Sequence, residues 1–257
     1  MNEMNFVNPK AKIGKNVTIS PFSFIDEDVI IGDNTWIGPN VNIFSGARNG
    51  ENCKIFPGAV IAAIPQDLKY AGEKTTAEIG DNSIIRECVT VNKGTSDKMK
   101  TAIGKNCLLM AYVHIAHDCI LGDNIIIANS VNLAGHVDIE DWVIIEGGTG
   151  VGQFVRIGAH AFISGLTGVR KNVPPFTKAA REPLQYVGVN SVGLRRRGFS
   201  NEIILQIEDI YRTLYVKGLN VSNALAVIEQ EAPSSKEKEQ ILAFIRNSKE
   251  GIIRGIS

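Results

Sequence analysis

The sequence predicts a mainly β protein: a parallel β-helix of hexapeptide repeats followed by a small C-terminal α-helical domain. Three observations carry that expectation. From Ile103 an aliphatic residue recurs at every sixth position: Leu109, Ile115, Leu121, Ile127, Leu133, Ile139, Ile145, Val151, Ile157, Ile163 and Val169. Four residues after many of these stands a small or apolar one, as at Cys107, Val113, Cys119, Ile125, Val131 and Val137. Beyond Ser200 the apolar spacing changes to that of helices. A period of six fits neither a helix nor simple strand alternation; it belongs to short flat strands that turn at regular corners. Three hexads close one triangular coil, so residues eighteen apart stack at about 4.8 Å.

The repeat starts early. Ile13, Ile19, Ile25, Ile31, Ile37 and Ile43 keep the phase, Asn49 breaks it, and Ile55 and Ile61 resume it. A second break near residues 66–77 reads as an excursion loop, and Ile79, Ile85 and Val91 precede another near 94–102. Loops inserted into solenoids project from one face, where binding residues are often placed. Pro174-Pro175 mark the expected end of the coils, because two prolines cannot sustain a main-chain ladder. This sets a β-helix domain at 1–175 and a connector with a helical domain at 176–257. Lys178 to Arg197 shows no period and reads as connector. Ser200 caps a helix with Glu202 in its first turn, Ile203, Ile207, Ile210 and Leu214 forming its stripe, and Gly218 stopping it. Ser222 to Glu231 and Ser235 to Asn247 read as two further helices that cover the last coil's edge or a neighbour.

The totals exclude several classes. Net charge is formally zero, which argues against a nucleic-acid binder. No apolar run approaches the ~20 residues of a membrane span. The N-terminus lacks the basic start and apolar core of a signal peptide, so the chain reads as cytoplasmic. Cys53, Cys107 and Cys119 occupy the inward small position and read as core filler, not as disulfides or metal ligands.

The eighteen-residue rule makes a map. His117 lies beneath Gly135, and Gly135 beneath Gln153. Asp118 lies beneath His136, and His136 beneath Phe154. Neither column is aliphatic, so both are expected to point outward. Histidine suits a general base near neutral pH. A neighbouring carboxylate such as Asp118 can fix its tautomer. A bare glycine amide at Gly135 can meet an oxyanion. The bland alternative is a solvated surface, yet three of the chain's four histidines fall within 114–136. His114-x-x-His117 beside Asp118 and Cys119 also suggests zinc. Cys119 should face inward, however, away from His117, so neither metal nor cofactor is expected. Between Arg170 and Arg197 lie seven basic residues and one acid, a cluster suited to phosphates or an acidic protein partner.

Five stretches resemble one family closely: Gln66-Asp-Leu-Lys-Tyr-Ala-Gly-Glu73, Ile85-Arg-Glu-Cys-Val-Thr-Val-Asn-Lys-Gly-Thr95, His114-Ile-Ala-His-Asp-Cys119, Leu133-Ala-Gly-His136 and Arg196-Arg-Gly-Phe-Ser200. They are similar to the UDP-N-acetylglucosamine acyltransferases of lipid A synthesis, over nearly the whole chain. The resemblance implies a left-handed β-helix, an exception to the usual crossover hand, assembled as a homotrimer. It implies transfer of a 3-hydroxyacyl group from acyl carrier protein to the glucosamine 3-hydroxyl of UDP-N-acetylglucosamine. By resemblance His117 is the base, Asp118 its orienting partner and Gly135 the oxyanion donor. His114, His136 and Gln153 match sugar and acyl contacts; Asp67 and Lys69 match contacts in the same pocket. Asn190, Arg196 and Arg197 match nucleotide and carrier contacts. Gly165 matches the position that limits acyl length and leaves room for a long chain. Gly152 and Val192 depart from the pattern of the family's enterobacterial members, which has histidine and glutamate there. Two rival readings are an N-acyltransferase acting on an already acylated sugar, which usually carries an extra N-terminal domain, and a non-catalytic solenoid scaffold.

Overall fold

The computed structural model describes residues 4–256. Short strands, mostly of two residues, wind into a left-handed β-helix with three flat sheets of nine, eight and eleven strands, parallel throughout except for one hairpin in the third. Each strand pairs with the one three strands on, and His114↔Asn132 and Ile120↔Asp138 show the eighteen-residue register directly. Main-chain bonds run from coil to coil, as in His114 N–H to Val131 O at 3.0 Å.

The hexad dictates this geometry. The second strand residue points inward, and from Ile25 upward these aliphatics are buried, including Ile115, Ile127 and Leu133 at 0% exposure. Ile13 is 36% exposed because it belongs to the first coils, which have little stacked below them. Three residues past each strand the chain turns through a left-handed backbone conformation. Asparagine serves this turn at Asn16, Asn34, Asn52, Asn82, Asn106 and Asn124, with φ of 54–59°. Short polar side chains tolerate that region best.

Asn49 does not interrupt the strands. It lies in the strand Ala47–Asn49, paired with Ile31 and Ile79, and is 3% exposed. The hydrophobic phase breaks there, but coil-to-coil pairing does not depend on side-chain polarity. The two excursions leave the first sheet after Val60–Ala63 and Thr90–Asn92 and rejoin the second at Thr76–Ile79 and Lys100–Ile103. Both therefore emerge along one edge of the prism.

The ladder continues past the prolines, contrary to the sequence expectation. Thr177–Ala180 pairs with Phe162–Ile163 in the third sheet, then folds back antiparallel onto Gln185–Val189. Arg254–Gly255 adds a last strand. The stretch read as connector is thus largely a hairpin that carries the sheet beyond the final coil. The prolines occupy the bend before it, where their missing N–H groups are not needed by the ladder.

Four helices follow: α1 Ser191–Arg196, α2 Asn201–Tyr215, α3 Val221–Glu231 and α4 Lys236–Arg246. Asn190, Ser200, Asn220 and Ser235 cap them through their side chains. The buried stripe of α2 is Ile204, Ile207, Ile210, Tyr211 and Leu214, with Ile203 only partly covered. Its face is turned toward Ile204 because the helix packs on the hairpin, where Tyr186 stacks on Tyr215 at 4.6 Å. The helices have their own core, built around Phe176, Leu194, Ile207, Tyr211, Ile241 and Phe244.

Candidate active site

Each edge of the prism is a column of turns, and the edge between the first and second sheets differs from the one that follows it. Two residues past a strand the main-chain N–H points along the edge. On the edge between the second and third sheets a carboxylate takes it: Asp33 Oδ1 accepts from Lys15 N (2.7 Å), Asp81 Oδ1 from Glu51 N (2.9 Å) and Asp123 Oδ1 from Lys105 N (2.7 Å). The corresponding residues on the edge between the first and second sheets are His117, Gly135 and Gln153. Among the described residues Gly135 N–H has no acceptor.

Beneath that amide lies the His117 ring. A Cβ built on Gly135 would stand 2.6 Å from His117 Cε1 and 2.7 Å from Nε2. Only glycine fits, and the imidazole and the amide lie one rung apart. His117 Nδ1 is 2.8 Å from Asp118 Oδ2. With the Nδ1 proton donated there, the Nε2 lone pair faces outward as a base. Asp118 itself holds the left-handed turn at φ 59°, where asparagine stands in many other coils.

Both residues lie on the outer wall but are buried, unlike the solvated surface of the bland alternative. His117 is 6% exposed and Asp118 0%. The excursion between Asn92 and Lys100 folds over them. Thr95 N (3.0 Å) and Lys98 N (3.1 Å) donate to Asp118 Oδ1, and Thr95 Oγ1 donates to Oδ2 at 2.6 Å. Lys98 Nζ pins the loop to Asp138 at 2.7 Å. Burial alone would raise the Asp118 carboxyl, but the hydrogen bonds from Thr95, His117 and Lys98 outweigh it and hold the group below the usual carboxylate range.

The remaining imidazoles frame this pair. His136 crosses His117 edge-on at 5.1 Å and stacks on Phe154 at 4.5 Å. Asp97 Oδ2 lies 3.0 Å from His136 Nδ1 without hydrogen-bond alignment. His114 shares a 2.7 Å hydrogen bond with Thr90 Oγ1. Burial, and then the charge of His117, lowers its pKa from the ordinary imidazole value. An open groove of about 420 Å³ runs from His114 over Asn132, Ala134, Gly150 and Gly152 to Arg170. Gln153 is exposed at the upper end of the column.

His117, Asp118 and His136 bring ligand atoms within 4.8 Å of one another. Every Asp118 oxygen there already accepts two hydrogen bonds. A cation there would have to displace those donors. The thiols play no part: burial pushes Cys107 up to about 11 and Cys119 up to about 12.

A second polar cluster occupies the edge between the second and third sheets. Arg197 donates from Nη1 to His160 Nδ1 at 3.2 Å and lies 5.2 Å over the Trp142 ring. His160 stacks between Trp142 and Phe176 and meets Phe199 edge-on at 5.1 Å. The Asn190 side chain caps α1 through Gly193 N and donates to His160 O at 2.9 Å.

Comparison with known proteins decides the family. Residues 172–253 match the family described as UDP N-acetylglucosamine O-acyltransferase, domain 2, and residues 10–45 and 100–135 match the bacterial transferase hexapeptide. A Janthinobacterium acyl-[acyl-carrier-protein]–UDP-N-acetylglucosamine O-acyltransferase is 47% identical over 96% of this chain and 97% of its own length. The chain belongs to the UDP-N-acetylglucosamine O-acyltransferase family. It is an acyltransferase. The solved UDP-N-acetylglucosamine acyltransferase of Bacteroides fragilis superposes with a TM-score of 0.97 at 52% identity, covering 99% of this chain and 100% of that one. The Arabidopsis enzyme superposes at 0.83 with 32% identity, over 100% and 99% of the two chains. Among the described residues no helix is long and apolar enough to cross a membrane.

The acyltransferase chain distributes its expected site residues over three edges. His114, His117, Asp118, Gly135, His136 and Gln153 lie on or beside the first. Asp67 and Lys69 lie in the loop that leaves the same edge two coils lower, and among the described residues no hydrogen bond or ion pair ties them to His117 or Asp118. Arg197 and Asn190 are at the second edge. Arg196 and Val192 line a cavity of about 390 Å³ with Ile144, Phe162 and Lys178 on the third sheet. Gly165 is at the third edge, where a Cβ would meet Gly147 O at 2.9 Å.

Sequence reasoning missed Thr95, Lys98, Trp142, His160 and Phe176. For Trp142 and His160 the signal existed, since they stand eighteen residues apart in the turn position. For Thr95 there was none, because loop residues have no register.

Proposed function

We propose that this chain transfers a 3-hydroxyacyl group from acyl carrier protein to the glucosamine 3-hydroxyl of UDP-N-acetylglucosamine, the first step of lipid A biosynthesis, as a cytoplasmic homotrimer. The observation that carries the chemistry is the uncapped Gly135 N–H one rung above an imidazole whose Nδ1 is tied to Asp118. The names of the curated relatives supply the two substrates.

In this mechanism His117 Nε2 takes the proton of the sugar hydroxyl as its oxygen attacks the thioester carbonyl carbon. Negative charge builds on the former carbonyl oxygen and meets the Gly135 amide, a preorganised donor. Collapse breaks the carbon–sulfur bond. The leaving thiolate takes the proton from the His117 imidazolium, giving an ester and the free thiol of the carrier. Asp118 stays ionised throughout and stabilises the imidazolium. Among the described residues no side-chain hydroxyl or thiol is hydrogen-bonded to His117 Nε2, which supports direct transfer.

Three subunits are proposed because Gly165, Arg196 and Arg197 lie on other edges of the prism than His117. One copy cannot bring them to a common ligand. Packing the third sheet of one copy against the first edge of another would do so. Sedimentation of the purified protein reads this directly, and a monomer would sink it.

The functional test is incubation with 3-hydroxyacyl carriers of mixed length and UDP-N-acetylglucosamine, with mass spectrometry of the product. A singly O-acylated nucleotide sugar is expected. Absence of product with every carrier, or a trapped acyl-enzyme, overturns the respective part of the reading. Substituting a bulky residue at Gly165 is expected to shorten the preferred acyl chain; its Cβ starts against Gly147 O, so part of the effect comes from a displaced turn. An unchanged product profile removes Gly165 as the length determinant.

A further inference from the structure

The Asp118 carboxylate is held by more donors than a corner turn needs. Other coils make the same left-handed turn with asparagine and no covering loop. Here an excursion from the coil below delivers two main-chain N–H groups to Oδ1 and one hydroxyl to Oδ2. The hydroxyl is the most consequential. Thr95 Oγ1 reaches, at 2.6 Å, the same oxygen that faces His117 Nδ1 at 2.8 Å. The threonine itself is 7% exposed, so water does not substitute for it.

We infer that Thr95 is a positioning residue for the His117–Asp118 pair, setting both the direction and the charge of the carboxylate oxygen that the imidazole faces. It touches neither substrate nor reacting atom; it acts through Asp118. Two donors on Oδ1 and one on Oδ2 leave one remaining site on Oδ2, which aims at His117. The Thr95 hydroxyl also withdraws part of the negative charge from that oxygen. Without it, the full charge faces the ring and favours the imidazolium, so the base stays protonated to higher pH.

A purely structural role, with Asp118 serving only to anchor the loop, makes a different prediction. Losing the hydroxyl would then loosen the loop and lower the melting temperature, without changing the titration of the pair. Thr95→Val keeps the side chain's shape and removes only the donor. In the full-length protein the acid limb of its kcat/KM profile is expected at higher pH, with kcat reduced roughly tenfold and KM for the nucleotide sugar little changed. Thr95→Ser should return the limb and most of the rate. Thr95→Ala is read the same way, so that a valine methyl pressed on the carboxylate cannot decide the result. The kinetic arm rests on the acyl-transfer reading, so a second arm does not. The downfield proton resonance of His117 Nδ1–H should move further downfield in Thr95→Val and return in Thr95→Ser, with no substrate present. An unmoved resonance, or an unmoved acid limb in an active, folded variant, overturns the role of Thr95. An inactive wild-type enzyme with the expected resonance shift overturns the acyl-transfer reading alone.

Discussion

His117 and His160 occupy neighbouring turn positions on two edges of the same prism, and their surroundings make opposite use of one side chain. His117 faces a carboxylate, Asp118 Oδ2 at 2.8 Å, that favours a positive ring. His160 faces a guanidinium, Arg197 Nη1 at 3.2 Å, that opposes one. Burial first, and then Arg197, pulls His160 down to about 4. It is therefore a neutral acceptor at neutral pH, stacked among Trp142, Phe176 and Phe199. One ring is paired with a carboxylate and proposed to exchange a proton, and the other accepts a hydrogen bond from a cation. The partner decides the role.

The strongest break in this comparison is His117→Ala. Removing the base should lower kcat by ~10²–10⁴ while the coils stay folded, since the ring makes no ladder bond. Near-wild-type turnover by the folded variant would remove the assignment. Next comes Gly135→Ala, whose methyl must displace a ring 2.6 Å away. Loss of alignment between base and amide should cost about 10² in kcat, with little change in sedimentation; a fully active variant would show that the amide and the ring need not be in register.

The mildest test sharpens the other half. Folded His160 binds its proton only near pH 4, against an ordinary value of 6.5 for the free side chain. Between these values the unfolded chain holds a proton that the folded chain lacks, so stability falls as pH drops through this window and levels off below it. His160→Phe keeps the stack and deletes the titration. Its melting temperature should vary less than that of the wild type between pH 6.5 and pH 4, and parallel curves would place the proton elsewhere. Asp118 is likewise held below its ordinary value, here by the hydrogen bonds it accepts. Its depressed value adds stability above the normal carboxylate range, which is lost as pH falls through the folded value.

The sequence by itself determined the coils, their eighteen-residue register and the column of His117, Gly135 and Gln153. Those features are local and repeated: every hexad restates the inward aliphatic and the turn, and each coil bonds to the next. It also placed the cap of α2 at Ser200, because capping depends on residues within one turn. Only the tertiary structure decided that the dyad is buried, that Thr95 and Lys98 bind its carboxylate, and that Arg197 rests on Trp142 and His160. It alone revealed that Thr177–Ala180 continues the third sheet beyond the prolines. A loop of seven residues between Asn92 and Lys100 has no period to read, and where it lands follows from contacts through space. Cation–π and charge-assisted pairs between distant segments are likewise set by how two cores dock, and that information is not carried by any single repeat.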